Sequence, residues 1–268
     1  MEVRLDSRAL LRRVLVLLLA FELLLVYLDL VVTFFEALDH EALHDVCNIV
    51  LEGSLAGWFS SVQTLVVGLI ALLVAVRVRA EPGSRRRATA WWIAAGFFAY
   101  MALDDGASLH EAVATAIEDA GKEAAAAGSP GVLGGVLQAF PSYPWQVLFL
   151  PALGSLGLFT AWWSLREMSR GPLRALVLAG FTCFALAVGI DFVEGLETPY
   201  RNLGAAYSLS EDTIPHASGI VEELTEMVGT TLLLYAYLAY LLDLCRDVRV
   251  RVVAGEPGSR DSHGGAVP

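Results

Sequence analysis

Long apolar segments, separated by short charged ones, make up most of the chain. A transmembrane helix needs about 20 mostly apolar residues to cross a hydrocarbon core about 30 Å thick. The pattern therefore predicts an all-α fold, a polytopic membrane protein whose residues 1–245 form a bundle of six transmembrane helices. We place these helices at about residues 14–35, 53–76, 88–104, 145–165, 174–194 and 222–242.

Basic residues are distributed very unevenly between the segments that connect these helices. Sixteen of the 18 Lys and Arg residues fall on one side of the predicted topology, and the other side keeps only Lys122 and Arg201. Because short cytoplasmic loops carry an excess of Lys and Arg, we expect both termini in the cytoplasm. The segment at 246–268 ends in AGEPGSRDSHGGAVP, which predicts a cytoplasmic, partly disordered tail.

The overall composition fits a membrane protein and argues against a soluble domain or a nucleic-acid-binding protein. Hydrophobic residues make up 56% of the chain and charged residues 18%, against about 25% charged residues in soluble domains. The net charge of −11 gives a nucleic-acid partner no electrostatic attraction. We expect the lipid bilayer as the partner, in the plasma membrane, which would be the inner membrane of a prokaryote.

Histidine and acidic residues collect at the predicted extracytoplasmic ends of the helices. Four of the five His and 19 of the 29 acidic residues fall there, partly because basic residues are excluded from that side. Mixed imidazole and carboxylate ligands suit Zn²⁺, Mn²⁺ or Fe²⁺, so we expect one of these divalent metals as a cofactor. The candidate ligands are His40, His44, Asp104, Asp105, His110, Glu111, Asp191, Glu194, His216, Glu222 and Glu226.

One stretch carries a known catalytic motif. His40-Glu41-Ala42-Leu43-His44 has the form H-E-x-x-H, which places two metal ligands and a general-base Glu on one helix. Together with Leu103-Asp104-Asp105-Gly106 it resembles the site-2 intramembrane metalloproteases, which combine H-E-x-x-H on one transmembrane helix with Asp-Gly on a later one. The resemblance implies a metal-dependent hydrolase. The chain lacks the N-x-x-P that precedes Asp-Gly in that family.

A second resemblance covers most of the chain. The Asp-containing helix end at Asp104, followed by His110-Glu111 and then by the stretch from Glu222 to Gly229, resembles uncharacterised multi-pass bacterial membrane proteins. This resemblance implies a multi-pass membrane fold and supplies no activity.

The leading functional hypothesis is a metal-dependent membrane hydrolase that acts on a lipid or peptide. The metal activates water, and Glu41 or Glu223 transfers the protons. The alternative is a proton- or cation-coupled transporter or channel, because Glu22, Asp29 and Glu36 lie seven residues apart on one stripe of the first helix. Six helices are few for a carrier, so this alternative implies a homo-oligomer. A non-catalytic membrane sensor or assembly partner is the third hypothesis.

Overall fold

The computed structural model describes residues 7–38, 40–126, 131–168, 171–210 and 212–245. These residues form helices and connecting segments without a β-strand, so the all-α prediction is confirmed. The predicted tail at 246–268 lies outside the described residues.

Eleven α-helices are formed by the described residues. They are α1 (Ser7–Leu28), α2 (Glu41–Cys47), α3 (Leu55–Arg79), α4 (Arg85–Ala107), α5 (Leu109–Ala126), α6 (Gly131–Ala139), α7 (Pro144–Leu148), α8 (Leu150–Glu167), α9 (Pro172–Gly195), α10 (Thr198–Tyr207) and α11 (Thr213–Leu244). A π-helical turn, Asp29–Phe34, continues α1.

Among the described residues, four stretches of helix are long and apolar enough to cross a membrane. They are Ala9–Phe34, Leu55–Arg79, Pro172–Gly195 and Thr213–Leu244. The third predicted segment forms α4, with 23 residues, whereas the fourth, 145–165, is divided at Phe149 into α7, with five residues, and α8, with 18. Helix α4 begins with three Arg residues and ends near Asp104 and Asp105, which lowers its apolar character. The part of the chain that the structure describes is therefore all-helical, with four helices suited to a membrane environment.

The long helices pack as antiparallel neighbours with two chemically distinct ends. Ser61 near the start of α3 lies against Asp105 near the end of α4, and the end of α9 lies beside the start of α11. We call this end of the bundle the acidic end. At the opposite, basic end, the Arg87 guanidinium donates to Glu81, Glu167 and Tyr240 at 2.6–3.0 Å. This contact joins α4, α8 and α11.

The main core lies between α3, α4, α9 and α11, toward the basic end. Val74, Trp91, Val177, Leu233 and Tyr237 are completely inaccessible to solvent within it. A smaller apolar cluster, centred on Leu25, Ile49, Ile220 and Met227, lies nearer the acidic end between α1, α3 and α11. The polar groups described below lie beside or between these two clusters.

Candidate functional site

A cavity of about 360 Å³ opens at the acidic end of the bundle. We call it the acidic pocket. Its walls carry five carboxyl side chains and, among the described residues that line it, no Lys or Arg. The lining residues are Val50, Glu111, Ala114, Thr115, Tyr143, Pro144, Trp145, Asp191, Glu194, Gly219, Glu222 and Glu223. The pocket therefore collects carboxyl groups without a lining basic residue to pair with them.

The end of α9 forms one wall of the acidic pocket and is hydrogen-bonded to the segment before α8. Asp191 and Glu194 lie one turn apart on α9, on the same face. The Gln146 side-chain amide donates to Asp191 at 2.7 Å, and the Tyr143 hydroxyl lies 3.5 Å from a Glu194 oxygen. Burial, followed by the charges of Glu194 and Asp191, raises the pKa of the Tyr143 phenol. Tyr143 is thus a neutral hydroxyl donor.

Beside the pocket, a buried aspartate fixes the orientation of a histidine. The Asp104 side chain is 2% exposed, and its two oxygens accept hydrogen bonds from the His110 backbone N–H at 3.0 Å and from Nδ1 at 2.8 Å. Because an ionised carboxylate can only accept, Nδ1 carries a hydrogen toward Asp104, and in the neutral imidazole Nε2 is then the nitrogen with the lone pair. Nε2 lies 3.9 Å from the pocket residue Glu111, and the ring packs edge-on against Trp145.

Two further acidic side chains, Asp105 and Glu52, lie near His110 and Glu111. The Ser61 hydroxyl donates to Asp105 at 2.9 Å. Glu52, in the loop before α3, interacts with Glu111. Burial, followed by the negative charge of Glu111, raises the pKa of the Glu52 carboxyl. Carboxyl groups from α5 and from the loop before α3 therefore interact directly at this end.

A second aspartate–histidine pair lies at the end of α1. Asp29 is fully buried. It accepts a hydrogen bond from the Ile49 backbone N–H at 3.0 Å, and His216 Nε2 lies 3.1 Å from its other oxygen. The His216 ring also stacks on Phe34. Asp29 thus joins α1, the loop before α3 and the first turn of α11. Both of its oxygens are occupied by these contacts.

The H-E-x-x-H segment lies elsewhere. His40 and Glu41 are exposed at the start of α2, and His44 Nε2 bonds to the Leu38 carbonyl oxygen at 2.8 Å. None of the three lines the acidic pocket. Glu36 is also exposed, at a positive φ of 48° just after the π-helical turn. The structure therefore brings neither the motif nor Glu36 to the pocket.

The predicted metal ligands fall into separate groups. Within the described residues, no three or more His, Cys, Asp or Glu side chains are close enough to hold one metal ion together. Glu111, Asp191, Glu194 and Glu222 line the pocket, as does the predicted catalytic residue Glu223. Asp104, Asp105, His110 and Glu226 lie on the helices around it, and His216 pairs with Asp29. Metal binding stays a prediction.

A polar network lies inside the bundle, and the sequence analysis identified only one of its members, Glu22. Glu22 on α1 is fully buried and accepts hydrogen bonds from Gln63 Nε2 on α3, at 3.0 Å, and from the Thr231 hydroxyl on α11, at 2.5 Å. Gln63 Nε2 also contacts the Thr231 hydroxyl oxygen. One signal was available for Gln63, since it is the single Gln in a long charge-free apolar segment. Thr231 carried no comparable signal.

One comparison with known proteins gives a match. The family model described as Domain of unknown function (DUF8692) matches residues 11–241. No curated protein and no solved structure matches the chain. The matched region begins within α1 and ends within α11. It therefore includes every residue of the acidic pocket and of the buried Glu22 network.

Proposed function

We propose the following function from the chemistry of the acidic pocket. The chain belongs to the DUF8692 family, whose model matches residues 11–241. The protein is an integral membrane protein with six spans that binds a divalent metal ion in the pocket, on the extracytoplasmic side. The bound metal serves the hydrolysis of a lipid or peptide. The observation that carries this proposal is the presence of five carboxyl groups around one cavity with no lining Lys or Arg among the described residues.

Electrostatics favours a cation in the pocket. Like charges a few ångströms apart repel one another strongly where water is partly excluded, and a divalent cation relieves this repulsion. The cavity volume of about 360 Å³ exceeds the roughly 30 Å³ that one liquid water occupies by about tenfold. Because no three described ligands are within reach of one ion, the metal keeps part of its water shell. Mn²⁺, Zn²⁺ and Fe²⁺ all accept such mixed ligands.

The Asp104–His110 pair supports a metal rather than an organic cation. A histidine that ligates a metal usually donates its other ring N–H to a carboxylate or carbonyl, which fixes the ring and its tautomer. Asp104 holds Nδ1 of His110 in this way, and the free Nε2 lies next to Glu111. His110 and Glu111 are therefore the pair of ligands that we expect to meet the ion first.

Hydrolysis is the reaction class that follows from a partly hydrated metal. A metal-bound water is more acidic than bulk water and becomes a nucleophile near neutral pH. Glu223 lines the pocket, and we expect it to accept the proton from that water. The pocket is lined by the ends of two apolar helices, α9 and α11, so we expect a substrate at the membrane surface, a lipid or a membrane peptide, to reach it directly.

The test is the metal content of the detergent-purified protein, measured by mass spectrometry after incubation with Mn²⁺ or Zn²⁺. We expect about one metal ion per chain in the wild type and loss of the metal in Glu222→Gln and His110→Ala. The matched controls Glu41→Gln and His44→Ala change the exposed H-E-x-x-H segment and keep the metal. Glu223→Gln keeps the metal but loses hydrolysis of phospholipid or peptide substrates.

Two outcomes contradict the proposal. A wild-type protein that binds no metal in either incubation overturns metal binding and hydrolysis together. Loss of the metal in His44→Ala, with retention in Glu222→Gln, moves the site to α2 and away from the pocket. Size-exclusion elution and helical circular dichroism, unchanged in each variant, show that the loss reflects binding rather than folding.

A further inference from the structure

Glu22 occupies an unusual position for a charged residue type. It lies near the middle of the apolar stretch Ala9–Phe34, and its side chain is completely buried. It therefore faces the interior of the bundle and not the lipid. An ionisable side chain at this depth is costly unless it is paired, neutralised or bound to an ion.

The partners of Glu22 are neutral. Gln63 and Thr231 both donate to the same oxygen, Oε1. The second oxygen, Oε2, is buried without a hydrogen-bond partner among the described residues, as is Oε1 of Gln63. No ion pair among the described residues includes Glu22. A full negative charge here would have one oxygen uncompensated, at a substantial cost.

The groups around Glu22 Oε1 favour a proton over a metal ion as the cation that binds here. The amide N–H and the hydroxyl present hydrogens to the carboxyl group, and hydrogens repel a metal ion. A proton needs only one lone pair, and Oε2 offers it. We propose that Glu22, Gln63 and Thr231 form an intramembrane proton-binding site, in which Glu22 Oε2 takes up and releases the proton. This site is separate from the acidic pocket and goes beyond the hydrolase.

A polar face of α11 connects the two sites. Glu223 lines the pocket, and Glu226 and Thr230 follow it at intervals of three and four residues, on one side of the helix. Thr230 is buried with its hydroxyl unpartnered among the described residues, and it immediately precedes Thr231. Protons exchange with water in the pocket along this face. Beyond Glu22, the main core of Val67, Trp91 and their neighbours closes the path toward the basic end.

Carbodiimide modification of the full chain in proteoliposomes tests the site. The lipid-soluble reagent dicyclohexylcarbodiimide reacts with a protonated carboxylic acid inside a membrane, and peptide mass spectrometry locates the product. We expect modification at Glu22 that decreases as the pH is raised. Glu22→Gln abolishes the modification, whereas Glu36→Gln, which alters an exposed acid after the same helix, leaves it unchanged.

The variant Thr231→Val provides a second test of the site. Thr231→Val removes a donor that favours the ionised carboxylate, so we expect modification at Glu22 to persist to a pH about one unit higher. Absence of modification at Glu22 at every pH in the folded wild type overturns the proposal. Protection of Glu22 by Na⁺ at constant pH also overturns it, because the site would then bind a metal cation. Metal loss from the pocket in Glu222→Gln leaves the expected Glu22 result unchanged, so the two proposals fail independently.

Discussion

At the scale of single residues, Asp29 shows how one buried carboxylate can organise an end of the bundle. Its two oxygens reach partners on two other segments, the Ile49 N–H before α3 and the His216 ring on α11. Asp29 also begins the π-helical turn that ends α1. Such turns are rare and accumulate at functional sites. The contact explains why this acid faces the protein interior without being part of the acidic pocket.

Replacing Asp29 by Asn is expected to destabilise the protein by about 1–3 kcal/mol. Asn keeps one acceptor oxygen for the Ile49 N–H, and its NH₂ group then faces His216 Nε2, so the contact with His216 survives only if the imidazole changes tautomer. Thermal unfolding in detergent measures the effect. Asp45→Asn changes an exposed acid on α2 and serves as the control. An Asp29→Asn protein that melts together with this control contradicts the expected destabilisation.

At the scale of helices, the acidic pocket depends on the close approach of α9 and α11. These helices carry four of its five carboxyl groups. They cross at Gly180 and Gly229, where a Cβ built on Gly229 would lie 2.9 Å from Cys183 Cβ and 3.0 Å from the Gly180 carbonyl oxygen. Backbones in membrane bundles approach this closely only through small residues. The two glycines therefore set the spacing of the carboxyl groups.

Gly229→Ala is expected to force the two helices apart at a cost of about 1–3 kcal/mol and to weaken metal binding in the pocket. The matched control is Gly96→Ala in α4, where an added Cβ meets nothing within 4 Å and Ala favours the helix by roughly 0.5–1 kcal/mol. Thermal unfolding and metal content of both variants provide the measurement. Equal melting temperatures for the two variants contradict the close-packing argument.

At the scale of the whole molecule, the sequence predicted the helical class and the acidic end because both depend on local features. Apolar runs fix where long helices lie, and the exclusion of Arg and Lys from one side leaves Asp191, Glu222 and Glu223 at the same end. The grouping of these three side chains around one cavity agrees with that prediction.

Local pattern could not give the contacts between distant segments. Gln63 and Thr231 are 168 residues apart, and Thr231 alone resembles any polar residue in an apolar helix. The seven-residue stripe assumed a regular helix, whereas the π-helical turn beginning at Asp29 alters the register and Glu36 emerges exposed. The H-E-x-x-H motif also lies away from the pocket, for reasons that its local pattern does not contain. Its helix has only seven residues, and His44 is engaged by the Leu38 carbonyl.

The number of spans decides whether the acidic pocket can exist in a membrane. By length and composition, four helices within the described ranges are suited to cross a membrane. If only these four crossed, the segment between the second and third stretches would lie on the same side of the membrane as the N-terminus. Glu111 on α5 would then be on the opposite side of the membrane from Glu222 on α11. Both line one cavity, so the proposal of a single pocket predicts that α4 and α8 cross as well.

Lys122 on α5 therefore distinguishes six spans from four. In a background whose cysteines Cys47, Cys183 and Cys245 are replaced by Ser, single cysteines at Lys122, Arg201 and Arg86 are treated with a membrane-impermeant maleimide on intact cells. All three positions are outside the apolar stretches. With six spans, Lys122→Cys and Arg201→Cys react before lysis and Arg86→Cys only afterwards. With four spans, Lys122→Cys behaves like Arg86→Cys, and the pocket loses Glu111 together with its neighbour His110, the ligand pair on which the metal proposal depends.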